Sequence, residues 1–586
     1  MKTRFKEGKI IAEGKYFETA RYELGNEKIG VTADGCGGLS SYRVTNEAAS
    51  RLLSILSLDL AVNGERLSPY LPKIVEMIGR MQKITVKTPA GDLTITTFLT
   101  KDVNGVFFLV EGKRLAIDLA LNCRDAKCES REGTDCVRGA NFLLSSSVCG
   151  DWVRENDTFY ASAKDKIKLL FSFSSDEKAH KEAFLAFDKA HAAALKEISN
   201  VRIPSSARSE QAKAMYLSAY FTAIQNYKTC GDFKAFAAGV RYVDPLRTYY
   251  RDSYFTVLPL LSSRPDLVRN EILTLARGIA ADGACPSAVK SDFTSFWGDH
   301  FDSPCFFVAE ISDYLRATED EAILDEKIGD STVLGLVERV LTRLEKRTDE
   351  TGLLVKGDYD KRDWADEVNR VGYVTYVEAL YYRALVLASR LFAGRNAALS
   401  DKYAAQAKKV KDAINALLFD EEKGYYVNYR VADGSAVEDN LSLDTIFTVL
   451  FGVADEDRAR RVLDAAERLL ETKNNTEQGG GDFGVMSVYP PYKLPRAASH
   501  KSARMYDYHN GANWCYLTAM YAYAKSLYGR DWQTPLLTTY RYMTSNGHYT
   551  PIEYFSPCCP AGSPLQGWSA ALAFVWERAG KGNFFA

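Results

Sequence analysis

The sequence predicts a multidomain protein, an N-terminal antiparallel β-sandwich followed by a C-terminal (α/α)6 barrel, and three observations carry that prediction. Up to about residue 175, apolar residues recur with period two, the spacing of strands with one buried face. Beyond about residue 207 the spacing is helical in twelve segments, with no strand-rich block between them. An Ala- and Lys-rich helical stretch separates the two and ends at Ile203-Pro204-Ser205-Ser206. The expected division is a supersandwich-like domain over 1–175, a helical linker over 176–206 and a barrel over 207–586.

Within the first part, Leu115, Ile117, Leu119 and Leu121 alternate with smaller or polar residues, and the run from Gln82 to Thr88 joins 92–100 through a Pro-Ala-Gly turn. Strand-like runs at 16–24, 52–62, 105–110, 140–146 and 167–174 bring the total to about ten. Short strands joined by tight turns pack as a sandwich. In the last part, helices are expected near 209–228, 252–263, 266–281, 302–317, 331–347, 372–394, 400–418, 441–452, 455–470, 509–528, 532–546 and 565–578. The segment from Val371 to Tyr382 is apolar on nearly every face, as an enclosed helix must be, whereas 402–418 and 455–470 each have one charged face. That alternation suggests two concentric rings, six hairpins closed into a toroid. A solenoid would need a fixed repeat period and polar capping repeats, and neither is visible.

Composition removes whole classes of function. The 586 residues include 74 Lys or Arg against 76 Asp or Glu, so there is no cationic surplus of the kind that binds a nucleic-acid backbone. No apolar core follows Met1 and no uncharged apolar run approaches the length of a bilayer, which points to a cytoplasmic protein without membrane contacts. Self-association into a homo-oligomer is compatible with this composition. The eleven cysteines have no metal-ligand rhythm, and Cys123, Cys128 and Cys136 have no neighbouring His, so neither metal nor cofactor is expected. Gly479-Gly480-Gly481 lacks nucleotide-binding spacing, and there is no HExxH or GxSxG. The 34 Tyr, 29 Phe and 7 Trp can fill a large helical core, but tyrosine also presents an apolar face and a hydroxyl suited to sugars.

Polar clusters that interrupt the helical pattern locate the chemistry. Arg247, Tyr249, Tyr250, Arg251, Asp252 and Tyr254 fall where a long connection enters a helix. Arg251 and Asp252 read either as a buried ion pair or as a clamp for vicinal hydroxyls, with Tyr249 or Tyr254 against the sugar ring. Trp297, Asp299 and His300 form a second such loop. Residues 358–367 hold five acids in ten positions just before the most apolar helix. There Asp363 and Asp366 flank Trp364, a spacing that suits one carboxylate held low by Arg362 or Arg370 and another raised by partial burial. Tyr508, His509, Asn510 and Trp514 can bind hydroxyls at another helix start. Glu553 is the lone acid of a Pro-rich loop and reads either as solvated or as half of the two-carboxylate device of glycoside hydrolysis.

In chain order these clusters resemble the glycogen-debranching amylo-α-1,6-glucosidase family and, more loosely, cellobiose phosphorylases and alkaline/neutral invertases, which share the six-hairpin toroid. Arg251-Asp252 is similar to the family's Arg-Asp motif, and Trp364-Ala365-Asp366 to its Trp-x-Asp, followed here by Ala379-Leu380-Tyr381-Tyr382-Arg383-Ala384-Leu385. Tyr508-His509-Asn510-Gly511-Ala512-Asn513-Trp514 looks like its Tyr-His-x-Gly-x-x-Trp, and Glu553 ahead of Cys559 and Gln566-Gly567-Trp568-Ser569 looks like its late Glu and Gln-x-Trp-Ser. The resemblance implies Asp366 as general acid and Glu553 as general base. Where the family has Glu-Ile-Asn, this chain has Tyr376-Val377-Glu378, so a sugar-contacting acid is displaced or lost.

The expected function is thus glycoside hydrolysis of an oligosaccharide or α-glucan-like glycan by an inverting mechanism, with Arg251, Asp252, Tyr249, Trp297, Asp299, His300, Asp363, Trp364, Tyr508, His509, Asn510, Trp514, Gln566 and Trp568 around the sugar. The sandwich should pack on the barrel and supply one wall. The alternatives are a disaccharide phosphorylase, against which the charge of Glu553 would repel phosphate, and a non-catalytic carbohydrate-binding protein. An epimerase would favour paired His, and only His300 and His509 stand in suitable loops.

Overall fold

Two long strands hold the N-terminal half together. Val106–Cys123 and Thr158–Ser172 pair antiparallel along their lengths, with a register shift between Glu111 and Ala116. Before the shift, the first of them also pairs with Gly91–Phe98, and after it with Leu56–Val62. The irregularity bends the ribbon, so each long strand leaves one sheet and enters the other. One layer runs Lys2–Lys6, Lys9–Gly14, Lys73–Ile78, Met81–Thr88 and Gly91–Phe98 to the long pair, while Arg21–Gly25, Ile29–Asp34, Leu39–Val44 and Leu56–Val62 form the other. Val31, Ile84, Ile95, Phe108, Ile117 and Leu169 are among the alternate residues buried between them.

The computed structural model describes residues 2–586 apart from 16–20, 46–55, 69, 124–127, 130–135, 140–142, 148–152, 156–157, 173, 175, 244, 358–359, 361, 432, 434–436, 493–501 and 559–560, together with the side chains of 56–58, 121–123, 128–129, 136–139, 153–155, 158–161 and 437. Parts of the strands expected at 16–24, 52–62 and 140–146, the Cys123, Cys128 and Cys136 side chains, and Cys559 therefore lie outside the described residues.

Helices Glu177–Leu185 and Phe187–Ser199 lead into a ring of paired helices. Six inner elements line its centre: Tyr250–Val257, Ser303–Thr318, Thr375–Phe392, Leu443–Ile446 continuing as Phe447–Leu450, Cys515–Leu527, and Gly567–Ala570 continuing as Ala571–Arg578. Neighbours in this series touch, and the sixth touches the first, so the ring closes. Each follows an outer helix: Glu210–Asn226, Pro265–Ala276, Val333–Glu345, Ala397–Leu417, Glu456–Leu469 and Gln533–Ser545. Outer helices such as Glu456–Leu469 bury one stripe, Ala459, Val462, Leu463 and Ala466, and expose Arg and Glu elsewhere. Glu210–Asn226 is buried along most of its length because the β-region covers its outer side. The antiparallel β-sandwich and the (α/α)6 barrel are thus one packed molecule.

Side-chain chemistry seals that junction. Gly25 accepts no side chain, since a Cβ there would meet Gln225 O at 2.6 Å. Its N–H takes Gln225 Oε1 at 2.8 Å, and its carbonyl accepts Arg80 Nε at 2.9 Å. Lys228 is fully buried and donates to Asn26 O at 2.7 Å, and burial pushes its ammonium down to about 7. Among the described residues, no helix is long and apolar enough to cross a membrane.

Links from outer to inner helices are long, spanning 227–249, 277–302, 346–374, 418–442, 470–514 and 546–566, whereas the return links such as 393–396 and 528–532 are short. All six long links gather at one end of the ring. Every polar cluster singled out in the sequence lies in one of them or in the helical turn that follows.

Candidate active site

The floor of that end is built from the first turns of the inner helices. Arg251 donates to Asp302 Oδ2 at 2.7 Å, and Tyr376 OH donates to the same oxygen at 3.2 Å. Asp302 stands at the start of the second inner helix without capping it, its charge being committed to Arg251. The Arg251 guanidinium lies 5.9 Å from the Trp568 ring centre, and Trp568 stacks on Tyr516 at 4.5 Å. Burial pushes the Tyr516 hydroxyl well up, within the fields of Arg251, Asp444 and Asp302. Gln566 Nε2 donates to Asp252 Oδ1 at 3.1 Å.

Six polar atoms at this end, Arg251 Nε, Asp302 Oδ1, Asp444 Oδ1, Tyr516 OH, Gln566 Oε1 and Trp568 Nε1, are buried and have no hydrogen-bond partner among the described residues. Buried polar atoms are nearly always paired. A concentration of exceptions, supplied by five of the six inner elements and their lead-in loops, marks this end of the ring as the candidate site.

One wall is aromatic. Trp514 stacks on His509 at 5.0 Å and on Tyr554 at 5.1 Å, and meets Trp364 edge-on at 5.3 Å. Its indole N–H is held by Tyr508 O at 3.0 Å. Tyr508, in a left-handed conformation with φ 45°, packs against His509 at 4.1 Å and Tyr554 at 4.9 Å.

The two carboxylates of interest flank that wall. Asp366 precedes the third inner helix and lies 3.9 Å from His509 Nδ1, its side chain 24% exposed. Glu553 precedes the sixth, across the ring. Its backbone pairs with Ser563 O at 2.9 Å, and its Oε2 accepts the Ser563 N–H at 3.1 Å. Burial raises the Tyr508 hydroxyl well above its ordinary pKa, and the charges of Glu553 and Asp366 add to the shift. Gly562 is what lets the Glu553 hairpin close, because a Cβ there would lie 2.8 Å from Glu553 Oε2 and 2.6 Å from Tyr554 Cδ1. Beside this loop, burial pushes Asp252 up to about 7, with Arg251 opposing and Glu553 reinforcing the shift.

Trp364 and Asp366 are held from beneath by an ionic truss. Asp363 accepts Lys356 Nζ at 2.7 Å and Arg370 Nη2 at 2.6 Å. Arg370 and Trp364 Nε1 both reach Asp444 Oδ2 at 2.6 Å. Burial would raise Asp363, but Arg370 and Lys356 outweigh it and hold the carboxyl well below the usual carboxylate range. Of the two arginines expected to do this, Arg370 takes part and Arg362 does not, being occupied by Asp360.

Several expected sugar contacts are placed differently. Asp363 spends both oxygens on the truss and is fully buried. Asp299 turns to Cys285 N at 3.0 Å and Arg343 Nε at 3.2 Å, and also pairs with Arg347. Asn510 is consumed by Tyr492 and Ser502, accepting Tyr492 N at 2.7 Å and donating to Ser502 O at 3.1 Å. Tyr254 is buried inside the helical ring between Asp313 and Arg383, each at 2.7 Å from its hydroxyl. These side chains have already met their hydrogen-bonding needs inside the protein. Glu378 likewise faces inward and accepts Leu354 N at 3.1 Å.

His300 is buried in the wall, its Nδ1–H donating to Gly298 O at 2.8 Å, and burial keeps it below its ordinary pKa. Tyr249 accepts Arg247 Nε at 2.7 Å and belongs to a rim cluster with Tyr242, Phe296 and Trp297. Trp297, at 56% exposure and φ 55°, is the outermost member. The rim adjoins the Glu553 loop, since Tyr242 is raised by burial and then by Glu553 and Asp252.

Sequence reasoning missed Asp302, Asp444, Tyr376 and Tyr516. The two acids carried a signal: Asp302 follows His300 within the same loop, and Asp444 is the lone charge in Leu441-Ser442-Leu443-Asp444-Thr445-Ile446-Phe447. The two tyrosines carried none, because nothing separates them from other tyrosines of buried helices.

A toroid of six helical hairpins with a sandwich at its N-terminal side and a carboxylate-bearing, polar-floored mouth defines the class of six-hairpin glycosidases. The family model of amylo-α-1,6-glucosidase matches residues 222–574, and the chain belongs to that family. Its structure is similar over 98% of both chains to a bacterial glucoamylase complexed with acarbose, at TM-score 0.63 and 12% identity. It also aligns with a rhamnosidase from Klebsiella oxytoca with rhamnose bound, at TM-score 0.51 and 16% identity over 95% of this chain and 88% of that one. An N,N'-diacetylchitobiose phosphorylase from Vibrio furnissii is 28% identical over 183 residues, a match that spans 29% of this chain and 22% of that protein.

Proposed function

We propose that the protein is an inverting glycoside hydrolase of an oligosaccharide or α-glucan-like glycan, with Asp366 as general acid and Glu553 as general base. The observation that carries this reading is the pair of carboxylates on loops heading opposite inner helices, above a floor of buried polar atoms without partners among the described residues. In this mechanism the terminal sugar fills the floor. Arg251, Asp252, Asp302, Asp444, Gln566 and Trp568 bind its hydroxyls, while Trp364, His509 and Trp514 pack on the ring. Asp366 protonates the departing oxygen and Glu553 draws a proton from water on the other face. Acids on opposite loops favour inversion, because the attacking water needs its own place between base and sugar. Tyr249, His300 and Trp297 then line the way to the next sugar.

The partial likeness to a phosphorylase supports a second reading, in which inorganic phosphate replaces that water. One assay separates the two. α- and β-linked oligosaccharides are incubated with and without phosphate, and the new anomeric proton is followed by NMR. Turnover in phosphate-free buffer with the opposite anomer released first is the expected result. Strict phosphate dependence would establish the second reading, and retained configuration would remove the base role of Glu553.

A further inference from the structure

A cavity of about 1030 Å³ opens at the end of the barrel away from the candidate active site. Pro259 and Ser263, which follow the first inner helix, line it together with Arg578 and Lys581 at the close of the sixth. Arg251 and Trp568 mark the opposite ends of the same two helices, on the order of 15 Å away. The third side is the link between Phe187–Ser199 and Glu210–Asn226, which brings Arg202 and Arg208. This volume is at the upper end of small-ligand pockets.

Its charge departs from the rest of the surface. Arginines on the outer helices are mostly answered by acids, as in Arg339 with Asp330, Arg343 with Asp282 and Arg461 with Glu421. Arg202, Arg208, Arg578 and Lys581 have no carboxylate within ion-pair distance among the described residues, although the chain as a whole is slightly acidic. Of the acids lining the cavity, Glu197 is given to Arg80 at 2.6 Å, and Glu577 is held by Tyr216 OH at 2.8 Å. Burial pushes Glu577 up to about 7, with Tyr216, Arg578 and Lys581 opposing, so near neutral pH it offsets only part of the positive charge. Aromatic residues back the cavity from the core. Tyr216 and Tyr220 stack at 6.0 Å, and Trp576 carries a buried indole N–H without an acceptor among the described residues.

We propose that this cavity is a second ligand site, distinct from the sugar site, which takes an organic phosphate carrying a ring. Guanidinium forks and the ammonium hold the phosphoryl oxygens, and the Tyr216, Tyr220 and Trp576 side receives the ring. Sugar phosphates and nucleotides share that chemistry, and the test distinguishes them.

The full chain is titrated calorimetrically with glucose 6-phosphate, ADP, inorganic pyrophosphate and unphosphorylated glucose. At least one of the first two should bind and should weaken as salt is added. The exposed pair Arg202→Ser/Arg208→Ser, and separately Arg578→Ser, should each lower that affinity at least about tenfold, the loss expected for a charge-assisted contact. Both variants should keep the wild-type melting temperature and oligosaccharide turnover. Tighter binding of ADP or of glucose 6-phosphate identifies the source. No heat from either at millimolar concentration, affinity unchanged in both variants, or pyrophosphate binding as tightly as both organic probes would overturn the proposal.

Discussion

The loop that carries Asp366 and the loop that carries Glu553 present their acids at one mouth and are built in opposite ways. The first rests on buried charge: Lys356, Asp363, Arg370 and Asp444 form an unbroken ionic chain under Trp364. The second is set by backbone geometry. Its hairpin is closed by backbone bonds to Gly562 and Ser563, and it is backed by a buried acid, Asp252, and by the N-terminal sheet, where Thr550 Oγ1 donates to Glu23 Oε2 at 2.5 Å. Position is thus fixed by electrostatics on one side and by close steric fit on the other. Damage to the first should cost stability, and damage to the second should cost geometry alone.

The largest effect tests whether the two acids are equivalent. Asp366→Asn and Glu553→Gln are each expected to lower kcat by about 10²–10⁴-fold, the usual worth of a positioned acid or base. A glycosyl fluoride, whose leaving group needs little protonation, should restore turnover to Asp366→Asn and not to Glu553→Gln. Equal rescue of both variants would exchange or erase the assigned roles.

Next in size is the truss itself. Asp363→Asn leaves Lys356 and Arg370 buried without their shared counter-charge, which should cost about 3–5 kcal/mol. A shift in the urea midpoint measures this. A loss below about 1 kcal/mol would mean that the ion pairs are not what holds the Asp366 side.

The steric side answers to a single methyl group. Gly562→Ala should move Glu553 and lower kcat by about 10²-fold, the penalty for misplacing a catalytic group by about an ångström. The melting temperature should stay close to wild type. A fall in stability as large as that of Asp363→Asn would abolish the contrast between the loops.

How much of this was legible in the sequence follows from the same contrast. The twelve helical segments and the change from period two to helical period were readable because amphipathic stripes repeat in the chain. Trp364, Asp366 and His509 drew notice as charge and aromatics ahead of apolar helices, and Glu553 as the lone acid of a Pro-rich loop. The truss was only half readable: Arg370 was a candidate partner for Asp363, but Lys356 and Asp444 come from other links, and their pairing exists only once the ring closes. Asp299 and Asn510 looked like ligand groups by type. Whether such a side chain faces a ligand or its own scaffold depends on Arg343, Arg347, Tyr492 and Ser502, which no local spacing reveals.

The last contrast is a difference in the sign of pH dependence. Asp363 is depressed in the folded state, so its contribution is present above the unfolded carboxylate pKa near about 4 and is lost only as the solution becomes more acidic. Asp252 is raised to about 7 by burial, so between about pH 4 and 7 the folded chain keeps a proton that the unfolded chain has released. Stability from this group is full below about pH 4 and declines as pH rises through 7, by at most about 1.4 kcal/mol per pH unit. Asp252→Asn removes the titration and should flatten that decline in urea unfolding between pH 4 and 7, whereas Asp363→Asn should leave the slope in this window unchanged. Parallel curves for wild type and Asp252→Asn would show that Arg251 and Gln566 stabilise the ionised form of Asp252, and the Glu553 side would then rest on charge as the Asp366 side does.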